Sequence, residues 1–286
     1  MSANDRKPDW LKIKLPRNKL SAQVSDIVNT HNLHTICTSG KCPNQGECWD
    51  CGTATFMICG NICTRSCKFC NVTTGKPLPL DENEPENIAN AIKLLSLKHA
   101  VITSVDRDDI PDLGASHWAK VIRAAKQKNP NTTLEVLIPD FRGKKDLIDL
   151  VLGENPDVVS HNLETVQRLS KTIRSSATYE VSLEVIKHIA ASGIVAKSGI
   201  MLGLGETRTE VLQTMDDLIT AGCSVLTIGQ YLRPSKSNIE VHEYIHPTVF
   251  YEYGKIGKEK GFIHVESAPL VRSSYHAERH VRKWRR

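Results

Sequence analysis

The chain has 286 residues, and 37 lysines and arginines against 32 aspartates and glutamates give it a net charge of +5. This length is sufficient for one large domain with a sizeable core. The ordinary apolar content excludes intrinsic disorder as the main state. No run approaches the ~20 apolar residues that a membrane span requires, and the N-terminus lacks the apolar core of a secretion signal. We therefore expect a cytoplasmic protein.

The middle of the chain alternates short apolar runs with amphipathic stretches. Strands are predicted over residues 54–60, 100–105, 134–138, 158–162, 194–202 and 225–231. Helices are predicted to begin at Pro85 and to cover residues 118–126, 181–191 and 211–219. This alternation is typical of a parallel sheet. Six such units without a dinucleotide-binding fingerprint indicate an α/β fold, a partial (β/α)6 TIM-like barrel. Residues 1–53 would form an N-terminal extension, 54–266 the barrel and 267–286 a C-terminal tail.

Polar residues follow the predicted strands. They are Ser104, Asp106, Arg107, Asp140, Arg142, His161, Asn162, Glu164, Glu206 and Arg233. Strand ends are polar in most proteins because they run into loops, which would explain any one of these residues. This general tendency explains less well why polar residues follow one predicted strand after another. Since barrel enzymes carry their sites at the C-terminal ends of the strands, we expect the site there.

Cysteine is the most informative residue type. The chain has nine cysteines, and all except Cys223 lie between Cys37 and Cys70. Cytosolic thiols stay reduced, so a dense group of them indicates a metal site rather than disulfides. Two triplets can be drawn, C-x3-C-x2-C at Cys63, Cys67 and Cys70, and C-x4-C-x5-C at Cys37, Cys42 and Cys48. Three thiolates on a four-iron cluster leave one iron open to a small chelating molecule.

A zinc site is the main alternative. A zinc-ribbon spacing is also present, at Cys48, Cys51, Cys67 and Cys70. With zinc at those four positions, Cys37, Cys42, Cys59 and Cys63 would have no role. We interpret Cys59 and Cys223 as ordinary small buried residues and Cys51 as a further non-ligand.

Three segments that carry cysteines or serines form a recognisable set. They are ATFMICGNICTRSCKFCNVTTGKP at 54–77, CTSGKCPNQGECW at 37–49 and VRSSYHA at 271–277. The first closely resembles the radical S-adenosylmethionine motif of the lipoyl synthase family, and the spacing in the second is more specific to that family. Similar segments in the middle of the chain are VITSVDRDD, VVSHNLETV, KSGIMLGLGET and IGQYLRPS. The resemblance therefore covers nearly the whole chain.

The resemblance implies two [4Fe–4S] clusters and S-adenosylmethionine as cofactors. Cys63, Cys67 and Cys70 would hold the cluster that binds S-adenosylmethionine. Cys37, Cys42 and Cys48 would hold an auxiliary cluster packed by the two chain ends, with Ser274, in preference to Ser273, as its fourth ligand. Arg272 would assist release of this ligand or position the tail. Asn162, Lys197 and Glu206 are predicted to contact the rest of S-adenosylmethionine. Cys51, Cys59 and Leu113 depart from the family pattern, and none of them is a predicted ligand.

The resemblance also implies a substrate and partners. The substrate would be an octanoyl chain on a lysine of a lipoyl carrier domain, such as a 2-oxoacid dehydrogenase E2 subunit or the glycine cleavage H protein. No side-chain base can remove a proton from its saturated carbons, so radical chemistry from a cofactor is required. A low-potential donor such as ferredoxin or flavodoxin and an iron–sulfur carrier protein would assist, with no nucleic acid and no membrane involved. A biotin-synthase-like sulfur inserter and a zinc-ribbon binding module are the competing hypotheses.

Basic residues lie near both chain ends. They are Lys12, Lys14, Arg17, Lys19, Arg279, Arg282, Lys283, Arg285 and Arg286. Solvated chain ends explain them. A docking surface for an acidic carrier domain is the more specific hypothesis.

Overall fold

The computed structural model describes residues 7–13, 19–51 and 54–281, without the side chains of Lys19, His280 and Val281. Within these ranges the strands are β1 (His34–Thr35), β2 (Thr55–Ile58), β3 (Ile62–Cys63), β4 (Thr73–Thr74), β5 (His99–Ser104), β6 (Thr133–Leu137), β7 (Val158–Ser160), β8 (Val195–Leu202), β9 (Val225–Gln230) and β10 (His264–Ser267). The α-helices are α1 (Lys19–Thr30), α2 (Ile36–Ser39), α3 (Gln45–Asp50), α4 (Glu84–Leu94), α5 (Ala115–Lys128), α6 (Lys145–Leu152), α7 (Gln167–Ile173), α8 (Tyr179–Ala191), α9 (Arg208–Thr220), α10 (Pro247–Lys260) and α11 (Glu278–Val281). Two short 3-10 helices are Asp9–Leu11 and Phe141–Gly143.

One large sheet organises the described residues. Its strand order is β1-β2-β5-β6-β7-β8-β9-β10, with β1 antiparallel to β2 and every other pairing parallel. β2 and β9 are buried along their whole length, as expected for strands covered on both faces. Amphipathic helices connect successive parallel strands, and Trp118 on α5 and Phe250 on α10 are fully buried. The predicted partial barrel is confirmed.

The six predicted strands correspond to β2 and to β5 through β9. The sheet also contains β10, which the sequence interpretation missed together with α6 and α10. In β10 the one buried residue is Val265, so no apolar run marks the strand. α10 carries two glycines, and a Cβ on Gly257 would lie 2.9 Å from a Val265 methyl group. Close packing of α10 on β10 therefore explains why a glycine stands at position 257, although glycine weakens the helical pattern.

The N-terminal extension is connected to the barrel through β1, where His34 pairs with Met57 and Thr35 with Phe56. At the other end of the chain, the tail runs beside β9, because the Gln230 amide donates to the Pro269 carbonyl at 3.1 Å. The predicted boundary at residues 266 and 267 falls inside β10. None of the helices that the structure describes combines the length and the apolar character of a transmembrane span.

Candidate cluster sites and their tail

The loop after β2 carries the first cysteine triplet, at the C-terminal edge of the sheet. Cys63 lies in β3, which pairs with β4 and closes the loop. Within the loop, the Cys70 amide donates to the Cys67 carbonyl at 3.1 Å. The Thr64 amide donates to the Asp106 carbonyl at 3.1 Å, just beyond the end of β5. The loop therefore lies where the sequence placed the site.

Backbone amides point at two of the three sulfur atoms. Cys63 Sγ accepts hydrogen bonds from the amides of Arg65 and Asp106, both at 3.4 Å. Cys70 Sγ accepts from the Val72 amide at 3.5 Å. Such bonds stabilise thiolates and tune cluster potentials. Burial raises the pKa of Cys63 to about 12, with repulsion from Asp106 adding to the effect. Burial likewise raises the pKa of Cys70 to about 11. These thiols lose their protons when a metal binds, so the donor set fits a cluster.

Arg65 anchors this loop to the sheet. Its guanidinium group lies 3.2 Å from an oxygen of Asp106, 2.7 Å from Asp108 and 2.8 Å from Asp140. The Arg65 side chain is 5% exposed, so these ion pairs are shielded from water. The polar strand ends predicted from the sequence include Asp106 and Asp140 but not Arg65. Its position between Cys63 and Cys67 was the signal that could have found it.

The second triplet comes from the N-terminal extension. Cys37 lies in α2 and Cys48 in α3, and the Cys42 amide donates to the Cys37 carbonyl at 2.9 Å. Burial, with smaller contributions from the neighbouring thiols of Cys37 and Cys42, raises the pKa of Cys48 to about 12. The structure therefore brings the three thiols into one electrostatic neighbourhood. Within the described ranges, no three His, Cys, Asp or Glu side chains converge on a single metal ion. A cubane uses its thiolates differently, because each binds a separate iron.

Ser274 lies beside the second triplet through Thr55. The Thr55 hydroxyl donates to Ser274 Oγ at 2.8 Å. Burial raises the pKa of Cys37, and the nearby Thr55 backbone opposes this shift. Ser273 instead faces the barrel, where its Oγ accepts from Asn162 Nδ2 at 2.7 Å. The two adjacent serines therefore have different environments.

The tail and the N-terminal extension interlock around the second triplet. Asn44 Nδ2 donates to the Leu270 carbonyl at 2.7 Å, and the Tyr275 hydroxyl donates to Glu47 at 3.0 Å. Burial lowers the pKa of Arg272, and the nearby Cys42 opposes this shift. Arg272 Nη1 donates to its neighbouring Val271 carbonyl at 2.6 Å. The predicted residues Arg272 and Ser274 are thus close to the predicted cluster cysteines.

The residues predicted to contact S-adenosylmethionine are divided by the structure. Lys197 lies inside the barrel, and its Nζ donates to Glu135 and to the Ser273 carbonyl, both at 2.6 Å. Asn162 lies near Lys197, because both side chains contact Ser273. Glu206 lies in the loop after β8, where its carboxylate accepts from the amides of Gly203 at 2.6 Å and Leu204 at 2.9 Å. Their contacts with S-adenosylmethionine stay predictions.

The cysteines outside the triplets have separate environments. Cys51 is exposed, whereas Cys59 and Cys223 are buried. Cys59 has a φ of 66°. Leu113, noted as a departure from the family pattern, has a φ of 53°, in the left-handed region that favours glycine. A glycine at this position would relieve the backbone strain.

The chain resembles known proteins over its whole length. The family model described as the radical SAM superfamily matches residues 57–218. The lipoyl synthase of Treponema denticola is 69% identical over 281 residues, which cover 98% of this chain and 97% of that protein. The chain belongs to the lipoyl synthase family. The lipoyl synthase of Parabacteroides distasonis is 63% identical over 98% of this chain and 100% of its own length.

A solved structure supports the fold. Methylornithine synthase superposes with a TM-score of 0.51 at 11% identity, covering 77% of this chain and 69% of that one. Membership of the lipoyl synthase family makes this chain a radical SAM enzyme that inserts sulfur, with [4Fe–4S] clusters and S-adenosylmethionine as cofactors. The family therefore does not favour the zinc-ribbon module or the biotin-synthase-like enzyme.

Proposed function

We propose that the chain inserts two sulfur atoms into the octanoyl group of an octanoyl-lysine on a lipoyl carrier domain. One observation carries the assignment of residues. Ser274 contacts Thr55, which neighbours Cys37, and Arg272 of the same tail neighbours Cys42, so the segment that carries Ser274 lies close to thiols from a separate part of the chain. Four ligands of this kind complete a cubane with three thiolates and one oxygen.

The residues divide into two sets. Cys63, Cys67 and Cys70 would hold one cluster, and Cys37, Cys42, Cys48 and Ser274 the auxiliary one. When bound, the first cluster supplies an electron of low potential to S-adenosylmethionine for radical formation, and the auxiliary cluster supplies sulfur. The contribution of Ser274 is a hard oxygen ligand, which soft iron–sulfur chemistry binds less readily than thiolate. Such a ligand is easier to release when the cluster is dismantled.

Arg272 would stabilise this arrangement electrostatically. Its half-buried guanidinium group lies close enough to Cys42 to interact with its charge. A positive charge in a shielded site offsets the negative charge of several thiolates. Arg272 would also interact with the Ser274 alkoxide once it leaves a metal. Asn162, Lys197 and Glu206 remain our proposed contacts for S-adenosylmethionine.

The proposed partners follow from the substrate. They are octanoylated carrier domains of 2-oxoacid dehydrogenase E2 subunits or the glycine cleavage H protein, a low-potential donor such as ferredoxin or flavodoxin, and an iron–sulfur carrier protein, all in the cytoplasm. Of the basic residues proposed to attract an acidic carrier domain, Lys12 and Arg279 are described. Lys14, Arg17, Arg282, Lys283, Arg285, Arg286 and the side chain of Lys19 lie outside the described residues.

The ligand role of Ser274 predicts the effect of Ser274→Cys. A fourth thiolate should retain about eight irons per chain, the sum of two four-iron cubanes. Turnover on an octanoylated carrier domain should fall at least about tenfold, the lower end of the loss caused by changing even an outer-shell partner of a metal. Anaerobic iron and sulfide analysis with a turnover assay measures both. Ser116→Cys, which adds a thiol at an exposed serine of α5, is the matched control and should keep its turnover. Full activity of Ser274→Cys would contradict the assignment.

The separate roles of the triplets predict how iron is divided. Replacing Cys37, Cys42 and Cys48 by alanine should lower the iron content from about eight to about four per chain. The remaining cluster should still cleave S-adenosylmethionine in the presence of a reductant, because its own three cysteines are unchanged. Sulfur insertion should be lost. If the unaltered chain binds zinc, or holds four irons after careful reconstitution, the proposed function is wrong.

A further inference from the structure

A buried ion pair crosses the interior of the barrel. Lys197 on β8 and Glu135 on β6 have side chains that are both 0% exposed, and Lys197 Nζ lies 2.6 Å from Glu135 Oε1. The Ser160 hydroxyl donates to the same carboxylate oxygen at 3.1 Å. Removing two charges from water is costly, so an ion pair at this depth suggests a role beyond stability. Neither cluster site uses this pair as ligands.

The ion pair holds the C-terminal tail. Lys197 Nζ also donates to the backbone carbonyl of Ser273 at 2.6 Å. Asn162, which follows β7, donates to the Ser273 hydroxyl at 2.7 Å. The barrel therefore contacts one residue of the tail at both its carbonyl and its side chain. That residue immediately precedes Ser274.

Two further contacts restrict the same segment. A Cβ on Gly229 of β9 would lie 2.0 Å from the Val271 carbonyl oxygen, so the tail rests directly on the backbone of this strand. At its other side, Thr55 of β2 donates to Ser274 at 2.8 Å. Strands β2, β8 and β9 thus hold the tail at Ser274, Ser273 and Val271. Contacts from three strands leave Ser274 little conformational freedom.

We propose that Lys197, oriented by Glu135, is a positioning residue that docks the tail and thereby sets Ser274 Oγ beside Cys37, Cys42 and Cys48. The proposal rests on the proposed function in taking Ser274 as a ligand. Lys197 acts through the Ser273 backbone, which explains why a residue far from the cysteines in sequence bears on their site. Its ammonium group serves two acceptors at once, so Glu135 fixes the direction of the bond to the tail.

The test is a paired substitution, because a single one leaves an unpaired buried charge. In Lys197→Met with Glu135→Gln, the glutamine keeps an acceptor for Ser160 while the bond to the tail is lost. Hydrogen exchange of peptides covering residues 269–277, measured on the reconstituted protein without oxygen, should become about tenfold faster, as expected for loss of one hydrogen bond to a charged donor. Exchange in β5 through β9 should be unchanged.

A matched control removes another buried pair. His117 Nε2 lies 2.6 Å from Glu84 Oε2 on helices α5 and α4, with side chains 5% and 8% exposed. Glu84→Gln with His117→Gln should leave the exchange of residues 269–277 unchanged. If Lys197→Met with Glu135→Gln does not fold, Lys197→Gln with Glu135→Gln keeps a neutral hydrogen-bonded pair whose shorter side chain does not reach Ser273. Faster tail exchange is expected there too.

A spectroscopic measurement separates this inference from the proposed function. In the paired Lys197 variant, the Mössbauer spectrum of the auxiliary cluster should match that of Ser274→Ala, with the iron content retained by the three cysteines. Tail exchange equal to that of the unaltered protein overturns the docking role, whatever Ser274 does. If the tail is freed but Ser274→Cys keeps full turnover, the ligand assignment in the proposed function is at fault instead.

Discussion

Arg65 shows how one residue can connect a cluster loop to the barrel. It lies between two of the proposed ligands, and its guanidinium group lies close to acidic side chains that follow β5 and β6. The hydrogen bonds that Arg65 donates are the main reason why the pKa of Asp108 is lowered. A charged network of this kind is stable only while its members are paired, because buried carboxylates repel one another.

Arg65→Gln is therefore expected to damage both the loop and the fold. Removing one partner of a buried ion pair costs about 3–5 kcal/mol, and the loop should lose its position against the sheet. We expect a lower melting temperature and the loss of the iron that we propose Cys63, Cys67 and Cys70 hold, measured by anaerobic thermal unfolding and iron analysis.

Arg142 provides the control for this substitution. It pairs with the same Asp108, but its side chain is 58% exposed whereas that of Arg65 is 5% exposed. Exposed pairs contribute about 1 kcal/mol or less, so Arg142→Gln should retain its iron and nearly all of its stability. Equal losses in the two variants would show that the charge of the network matters and the anchoring does not.

At the level of elements, the two chain ends form one unit on the barrel. β1 of the N-terminal extension pairs with β2 of the barrel, and the tail continues along β9. Asn44 and Glu47 then join extension to tail by hydrogen bonds. Each end supplies part of the proposed auxiliary site, so neither is complete without the other.

Gly229→Ala should disturb this unit through the tail. The added methyl group would lie 2.0 Å from the Val271 carbonyl, a distance that requires the tail to move. We expect sulfur insertion to fall at least about tenfold through misplacement of Ser274, while reductive cleavage of S-adenosylmethionine continues.

Gly254→Ala is the control for this change. Its Cβ would lie 3.6 Å from Ser267 Cβ, an ordinary contact, and alanine is favourable within α10. Turnover and S-adenosylmethionine cleavage assays on both variants give the comparison. Unchanged sulfur insertion in Gly229→Ala would mean that the tail tolerates displacement.

At the scale of the whole molecule, the stability of the fold depends on the protonation state of buried side chains. His161 is buried, and its ring nitrogens lie 2.9 Å from the Ile138 carbonyl and 2.9 Å from the Ser182 hydroxyl. Because a carbonyl can only accept, we assign the proton to Nδ1 and the acceptor role to Nε2. Burial, together with repulsion from Arg174, lowers the pKa of His161 to about 4.

This lowered pKa predicts a loss of stability in acid. An unfolded histidine has a pKa of about 6.5, so between that value and pH 4 the unfolded chain binds a proton that the folded chain does not. The full contribution is present above pH 6.5. It declines as the pH falls toward 4, by up to about 3 kcal/mol in the free energy of unfolding.

The measurement compares the unaltered chain with His161→Gln. Anaerobic thermal unfolding at pH 7 and pH 5 should show a larger decrease in melting temperature for the unaltered chain, because glutamine does not titrate. The part of the decrease that other titrating groups cause is the same in both proteins, so it cancels in the comparison. An identical decrease in both proteins would mean that folding does not lower the pKa of His161.

Local patterns in the amino-acid sequence were enough to predict most of the barrel and the two cysteine triplets. Apolar runs marked β2 and β5 through β9, because a strand covered on both faces requires such a run. The spacing of Cys63, Cys67 and Cys70 is likewise a property of one short segment. β10 escaped because Val265 is its one buried residue, and its pairing with β9 depends on neighbours elsewhere in the sheet.

Contacts between distant residues could be found only in the folded chain. Lys197 meets Glu135 across 62 positions and Ser273 across 76, and Thr55 meets Ser274 across 219. No periodicity or spacing encodes such pairs, because they arise when parallel strands bring separate segments to one place. The sequence therefore marked Lys197 as a candidate contact for S-adenosylmethionine, and the folded chain reveals its contact with the tail. The same folding brings the Ser274 hydroxyl to Thr55, in the strand that pairs with the N-terminal extension.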